Sequence, residues 1–235
     1  MSEKNEPFPT NDERSFGYSV AKVALGAVPI VGGAAQEFLD KAVGDPLRKR
    51  QEVWLAELGN GLAALSERVH GLSPERLADD PAFVTAAAQA TQDALRTHSE
   101  IKREALKNTV LNVAAGVRLD DVLLGSFIEY INRFSEAHLK LLALLRDPMS
   151  DAAYAREAQN VSMGSVHGIV ARAHPDIASQ PDLLDRLHGD LSREGLAQGS
   201  FKAMMTGGGL RNPQTTAIGN AFLDFIAPPE PLERS

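Results

Sequence analysis

The chain has no cysteine. Disulfides, thiolate metal sites, iron–sulfur clusters and a cysteine nucleophile are therefore excluded. Aromatic residues make up only 6% of the 235 residues, and β-branched residues are comparatively few beside abundant Ala and Leu. Ala and Leu lose little entropy in helices, so this mixture favours helix over sheet. Positive charge is also in short supply: 24 Lys and Arg stand against 31 Asp and Glu, for a net charge of −7. An acidic chain repels a phosphate backbone, which disfavours general nucleic-acid binding. No apolar run reaches the roughly 20 residues of a spanning helix, and no basic n-region followed by an apolar core marks a signal peptide. The chain reads as cytoplasmic.

Apolar content of 43% supports a sizeable core. Residues 1–15 read as a disordered tail, being polar, acidic and without period. Residues 16–147 read as a multi-helix bundle. Asp45-Pro46 and Asp80-Pro81 pair an N-cap with a first-turn proline. The first opens a helix with Trp54, Leu55, Leu58, Leu62 and Leu65 near one face; the second opens one long helix to about Ala114. A further amphipathic helix covers 119–133, and Ser135 caps another that ends before Pro148. Residues 148–235 read as a small winged-helix-like α+β module. Two helices are followed by Gly195, a weak strand, the glycine turn "TGGGLRN" at 206–212, a second weak strand and a closing helix. The turn reads as a hairpin tip whose glycines supply positive φ. The closing helix is expected to bury Ile218, Phe222, Phe225 and Ile226, and the helix at 181–194 to bury Leu183, Leu184, Leu187 and Leu191. The expected fold class is therefore mainly α.

Motifs that would carry chemistry are missing. His70, His98, His138, His167, His174 and His188 contain no i, i+4 pair and no HExxH, so each reads as a surface or helix-end residue. The glycine run lacks the Lys and Ser/Thr of a P-loop, and no GxSxG elbow exists. Asp93, Glu100 and Glu104 alternate with Arg96, Lys102, Arg103 and Lys107, as on a solvated, salt-bridged helix face. Asp120-Asp121 reads as an N-terminal pair facing a helix dipole. No enzyme and no cofactor is expected. The helix at 181–194 holds Asp182, Asp185, Asp190 and Glu194 against Arg186 and Arg193. That is the wrong sign for a DNA-reading helix.

Two features point to contacts with partners. "VALGAVPIVGGAA" at 23–35 is an uncharged run broken at Pro29, and "RKR" at 48–50 is the one compact basic cluster. Val28, Pro29, Ile30 and Val31, with Arg48, Lys49 and Arg50, are the candidate partner or membrane-contact residues, since cations beside an apolar segment are drawn to anionic lipid.

The apolar opening leads to "RTHSEIKREALKNTVLN", "LLGSFIEYINRFSEAHLKLLALLRDP" and a "LSREGL … T-AIGNAFLDFI" tail. This layout, over about residues 20–227, resembles the abortive-infection alpha family of bacterial proteins. The resemblance implies a role in anti-phage defence and carries no site residues across. The expected function is thus a non-enzymatic regulatory or protein-interaction protein, bound to a protein or to a second copy. A membrane-active effector using 23–35 is the alternative, with peripheral membrane contact, and a winged-helix transcription regulator the third.

Overall fold

The computed structural model describes residues 45–178 and 180–230. The described residues are mainly helical, with one small two-stranded sheet. They divide into two compact units, one of residues 45–132 and 226–230, the other Arg133–Phe225.

The first unit contains α1 (Asp45–Arg68), α2 (Pro74–Ala78), α3 (Pro81–Arg96), α4 (Glu100–Ala114) and nearly all of α5 (Asp121–Arg133). Its helix starts follow from side-chain acceptors for orphan N–H groups. Asp80 accepts from the N–H groups of Ala82 and Phe83, Ser73 from Arg76, Ser99 from Lys102 and Asp120 from Leu123. Gly71 and Gly116 close α1 and α4 with positive φ. The expected single helix from Asp80 to Ala114 is two. Thr97 is extended and accepts from the Ser99 N–H, while Ser99 caps α4, so the chain turns within "RTHSE". The resulting α3–α4 hairpin packs its alanine-rich face tightly, and α1 lies on both helices.

Trp54, Leu58, Leu62 and Leu65 of α1 are buried with Phe83, Leu106, Val110 and Phe127. The one tryptophan keeps its indole N–H satisfied: it donates to Thr91 Oγ1 at 3.0 Å, which in turn donates to the Ala87 carbonyl at 2.7 Å. Asn108 and Asn112, four apart on a buried face of α4, donate to the carbonyls of Ile226 and Ala227 and so hold residues 226–230 within this unit. On the charged face, Lys107 pairs with Glu104 at 2.7 Å, as expected of a solvated helix.

The second unit contains α6 (Glu136–Arg146), α7 (Ala152–Gln159), β1 (Met163–Gly164), α8 (Val166–Ala173), α9 (Pro181–Arg193), β2 (Met205–Thr206), a 3₁₀ turn (Gly209–Arg211) and α10 (Ala217–Ile226) apart from its last residue. α6 packs on α9, α7 on α8, and α8 on α9. Leu141, Leu142, Tyr154, Leu184, Leu187, Leu191 and Phe222 form the core. The Tyr154 hydroxyl donates to the Leu210 carbonyl at 2.8 Å, and burial pushes its pKa up to about 12.

The glycine segment differs from the expected hairpin. β2 pairs antiparallel with β1, Met163 opposite Thr206 and Gly164 opposite Met205, across the two intervening helices. After the glycines the chain enters the 3₁₀ turn, and the expected second strand is reduced to a single antiparallel bridge from Thr215 to Ala197. None of Gly207, Gly208 and Gly209 has positive φ. Close approach explains two of them: a Cβ on Gly207 would lie 2.9 Å from the Val161 carbonyl oxygen, and one on Gly209 3.1 Å from Met205 Cβ.

The closing helix is fixed by a second close approach. Gly195 ends α9 with positive φ, and the Thr216 N–H donates to the Leu196 carbonyl at 3.0 Å. The Thr216 hydroxyl donates to the Gly195 carbonyl at 2.6 Å and accepts from the Gly219 N–H at 2.9 Å. A Cβ on Gly219 would sit 2.0 Å from the Leu196 carbonyl oxygen. Phe222 and Phe225 are buried as expected, but Ile218, one turn before Phe222 at the start of α10, is 45% exposed, and Ile226 is only half-buried. Leu183 of α9 is likewise not buried with Leu184, Leu187 and Leu191.

Two substitutions test these contacts by chemical denaturation. Gly219→Ala gains helix propensity but meets backbone, and should destabilise the protein by about 3 kcal/mol. Thr91→Val keeps the shape and strands the Trp54 N–H, for an expected loss of about 1–3 kcal/mol.

Candidate functional site

Charged groups, a histidine and apolar side chains converge at one place in the second unit. It is a cleft of about 400 Å³ in the second unit, between the start of α6 and one face of α9. The α9 side is a helical row: Leu183, Arg186, Leu187, Asp190, Arg193 and Glu194 recur at spacings of three and four. Arg133, Phe134, Ser135 and His138 face them.

His138 joins the two sides. The Ser135 N–H donates to its Nδ1 at 3.1 Å, a capping-box arrangement that starts α6. Nδ1 is therefore the unprotonated nitrogen, and Nε2–H donates to Asp190 Oδ2 at 3.4 Å. The ring stacks on Phe134 with centroids 5.0 Å apart. Burial is the largest influence on His138 and outweighs the attraction of Asp190, so its pKa lies below the usual value of 6.5 and the ring is neutral at pH 7. Burial works against the Asp190 charge, but hydrogen bonds from Arg193 and His138 prevail and hold its carboxyl below the usual range. Arg193 Nη1 lies 2.7 Å from Asp190, Arg186 Nε 3.8 Å from it, and Arg133 Nη2 2.7 Å from Glu194.

Ser135, His138 and Asp190 are the residue types of a hydrolytic relay, and the Ser135 hydroxyl lies 2.8 Å from Nδ1. That nitrogen already accepts the Ser135 backbone N–H, so the ring is oriented as a helix cap rather than toward a substrate. Three guanidiniums against two carboxylates, over exposed and buried leucines, suit the arrangement to binding an anionic, partly apolar group.

Of two other histidines near carboxylates, His174 bonds Asp151 at 3.0 Å, whereas the buried His167 Nε2 lies 3.6 Å from Asp185 and has no hydrogen-bond partner. His174 caps the end of α8, a helix-end position as expected. His188 corrects the expectation of a surface or helix-end residue: it is 9% exposed and stacks on Phe201 with ring centroids 4.3 Å apart and planes nearly parallel. No group of three metal-ligating side chains occurs among the described residues, and no described helix is long and apolar enough to cross a membrane.

Among the sequence-derived candidates, Val28, Pro29, Ile30 and Val31 lie outside the described residues. Arg48, Lys49 and Arg50 are exposed on the first two turns of α1. They belong to the first unit and take no part in the cleft. Sequence reasoning missed the cleft because its two sides lie some fifty residues apart; the one local signal was the row on α9. In comparisons with known proteins, no family model, curated protein or solved structure matched the chain.

The buried histidines make stability depend on pH. Burial lowers the pKa of His188, with Asp185 opposing. A histidine whose pKa is lowered on folding binds fewer protons in the native than in the unfolded state, so stability is full above 6.5 and falls as pH drops through and below that value. His188→Phe preserves the stack on Phe201. Denaturation midpoints measured from pH 7.5 to 5 should fall less steeply for this variant than for the parent; parallel curves would refute the assignment.

Proposed function

We propose that the chain is a protein-interaction module that engages its partner through the α6–α9 cleft. The observation that carries this reading is the composition of the cleft. Arginine and aromatic or aliphatic side chains converge in a concave site, with Leu183, 36% exposed, beside buried Leu187. Binding energy in protein interfaces concentrates at such sites, where an apolar anchor is ringed by groups that fix orientation. A volume of about 400 Å³ accepts a few side chains of a partner rather than a whole secondary-structure element. The neutral, cap-oriented His138 and the paired Asp190 fit a preorganised binding wall better than a proton relay. Regulation through such contact is the role we assign, and the resemblance to abortive-infection alpha proteins adds anti-phage defence as its setting.

A photo-crosslinking amino acid placed at position 183 in producing cells should give a discrete protein adduct. The same group at position 122, where Val122 is 77% exposed on the first unit, should not. Absence of an adduct at 183, or identical adducts at both positions, would refute the reading.

A further inference from the structure

We propose that the segment bound in the cleft is an acidic peptide carrying an aliphatic side chain. This rests on the interaction reading above and specifies the chemistry of the partner.

The charges of the cleft do not cancel. Glu194 is matched by Arg133 and Asp190 by Arg193, each at 2.7 Å. Arg186 remains. Its side chain is 79% exposed, and it reaches Asp190 only at 3.8 Å, on the same carboxylate oxygen that lies near His138. Its guanidinium has five donors in a planar fork suited to two-point binding of a carboxylate. Arg193, exposed as well, commits one nitrogen to Asp190 and keeps others for an incoming acid. With His138 neutral, the site carries one net positive charge on a chain whose net charge is −7.

That contrast selects for sign. A basic segment would meet the excess charge of Arg186, whereas an acidic one meets its fork and the uncommitted nitrogens of Arg193. The apolar part of the site sets the second requirement. Leu183 stands exposed on the same row as Arg186, one turn along α9, with Leu187 beneath. A carboxylate on Arg186 and an aliphatic side chain on Leu183 therefore sit about one helical turn apart, close to the spacing of residues i and i+2 on one face of an extended peptide.

The full chain is titrated with two fluorescent peptides, one of Glu-Ser-Leu-Ser repeats, which put Glu and Leu in turn on one face of an extended chain, the other with Lys in place of Glu. The acidic peptide should bind about tenfold more tightly, and more weakly as salt rises. Arg186→Glu should weaken it about tenfold, while Arg186→Lys, which keeps the charge but not the fork, should lose less. Leu183→Asp should weaken it too, and circular dichroism should show the parent fold in each variant. Equal binding of the two peptides, or an Arg186→Glu variant that binds like the parent, would overturn the proposal. So would a doubling of solution mass abolished by Arg186→Glu, which would seat a second copy on the cleft. If the peptides fail while the adduct at position 183 persists, the interaction reading stands and only the acidic partner is refuted.

Discussion

The second unit depends on one close approach, between the carbonyl of Leu196 and the backbone of Gly219. Any side chain at position 219 would occupy the place of that oxygen. Because the position is glycine, α10 begins directly against the end of α9. Thr216 can then bond both the Gly195 carbonyl and the Gly219 N–H. The loop between these helices is drawn in by the same junction. Ala197 bridges to Thr215, Gln198 donates to Gln214, and Gln214 donates to Leu145 at the far end of α6. A few backbone bonds thus fix α6 and α9 relative to each other, and the cleft is the space left between the start of α6 and the outer row of α9.

Within that space Asp190 is the hub. It faces Arg193, Arg186 and His138, from both of the elements that wall the cleft. A carboxylate with several cationic or N–H donors around it holds long side chains in place that would otherwise cost rotamer entropy to order on binding. Preorganisation of this kind is what separates a binding site from a patch of charged surface, where exposed pairs contribute little.

The sequence made some of this legible and hid the rest for physical reasons. Helix starts were readable where a cap and a first-turn proline coincide, as at Asp80-Pro81, or where Ser precedes a periodic run, as at Ser135. The turn at Thr97–Ser99 was hidden because apolar residues recur at helical spacing on both sides of it; only the hydroxyls of Thr97 and Ser99 break the helix, through hydrogen bonds that spacing does not reveal. Gly207 to Gly209 were read as a conformational requirement. The structure assigns Gly207 and Gly209 to close approach instead, a contact between residues distant in sequence or across a turn. Asn108 and Asn112 look like ordinary polar helix residues until the carbonyls they serve, more than a hundred positions away, are in place. The cleft was hidden for the same reason.

The charge of α9 shows how a correct count can mislead. Four carboxylates against two arginines between 181 and 194 describe an acidic helix, and that count argued against a nucleic-acid surface. In the folded unit three of those carboxylates are engaged: Asp185 with Lys202, Asp190 with Arg193 and His138, and Glu194 with Arg133. What a ligand meets in the cleft is the remainder, which is positive. The remainder is still only about one charge, and displacement of counterions from a nucleic acid gains affinity in proportion to the number of phosphates neutralised. A single loosely paired guanidinium in a cleft of about 400 Å³ therefore offers little to a polyanion. The acidic peptide proposed above asks less of it, one carboxylate beside an aliphatic side chain. The sign of the helix and the sign of the cleft differ because folding engages charges in pairs and leaves Arg186 the least engaged of them.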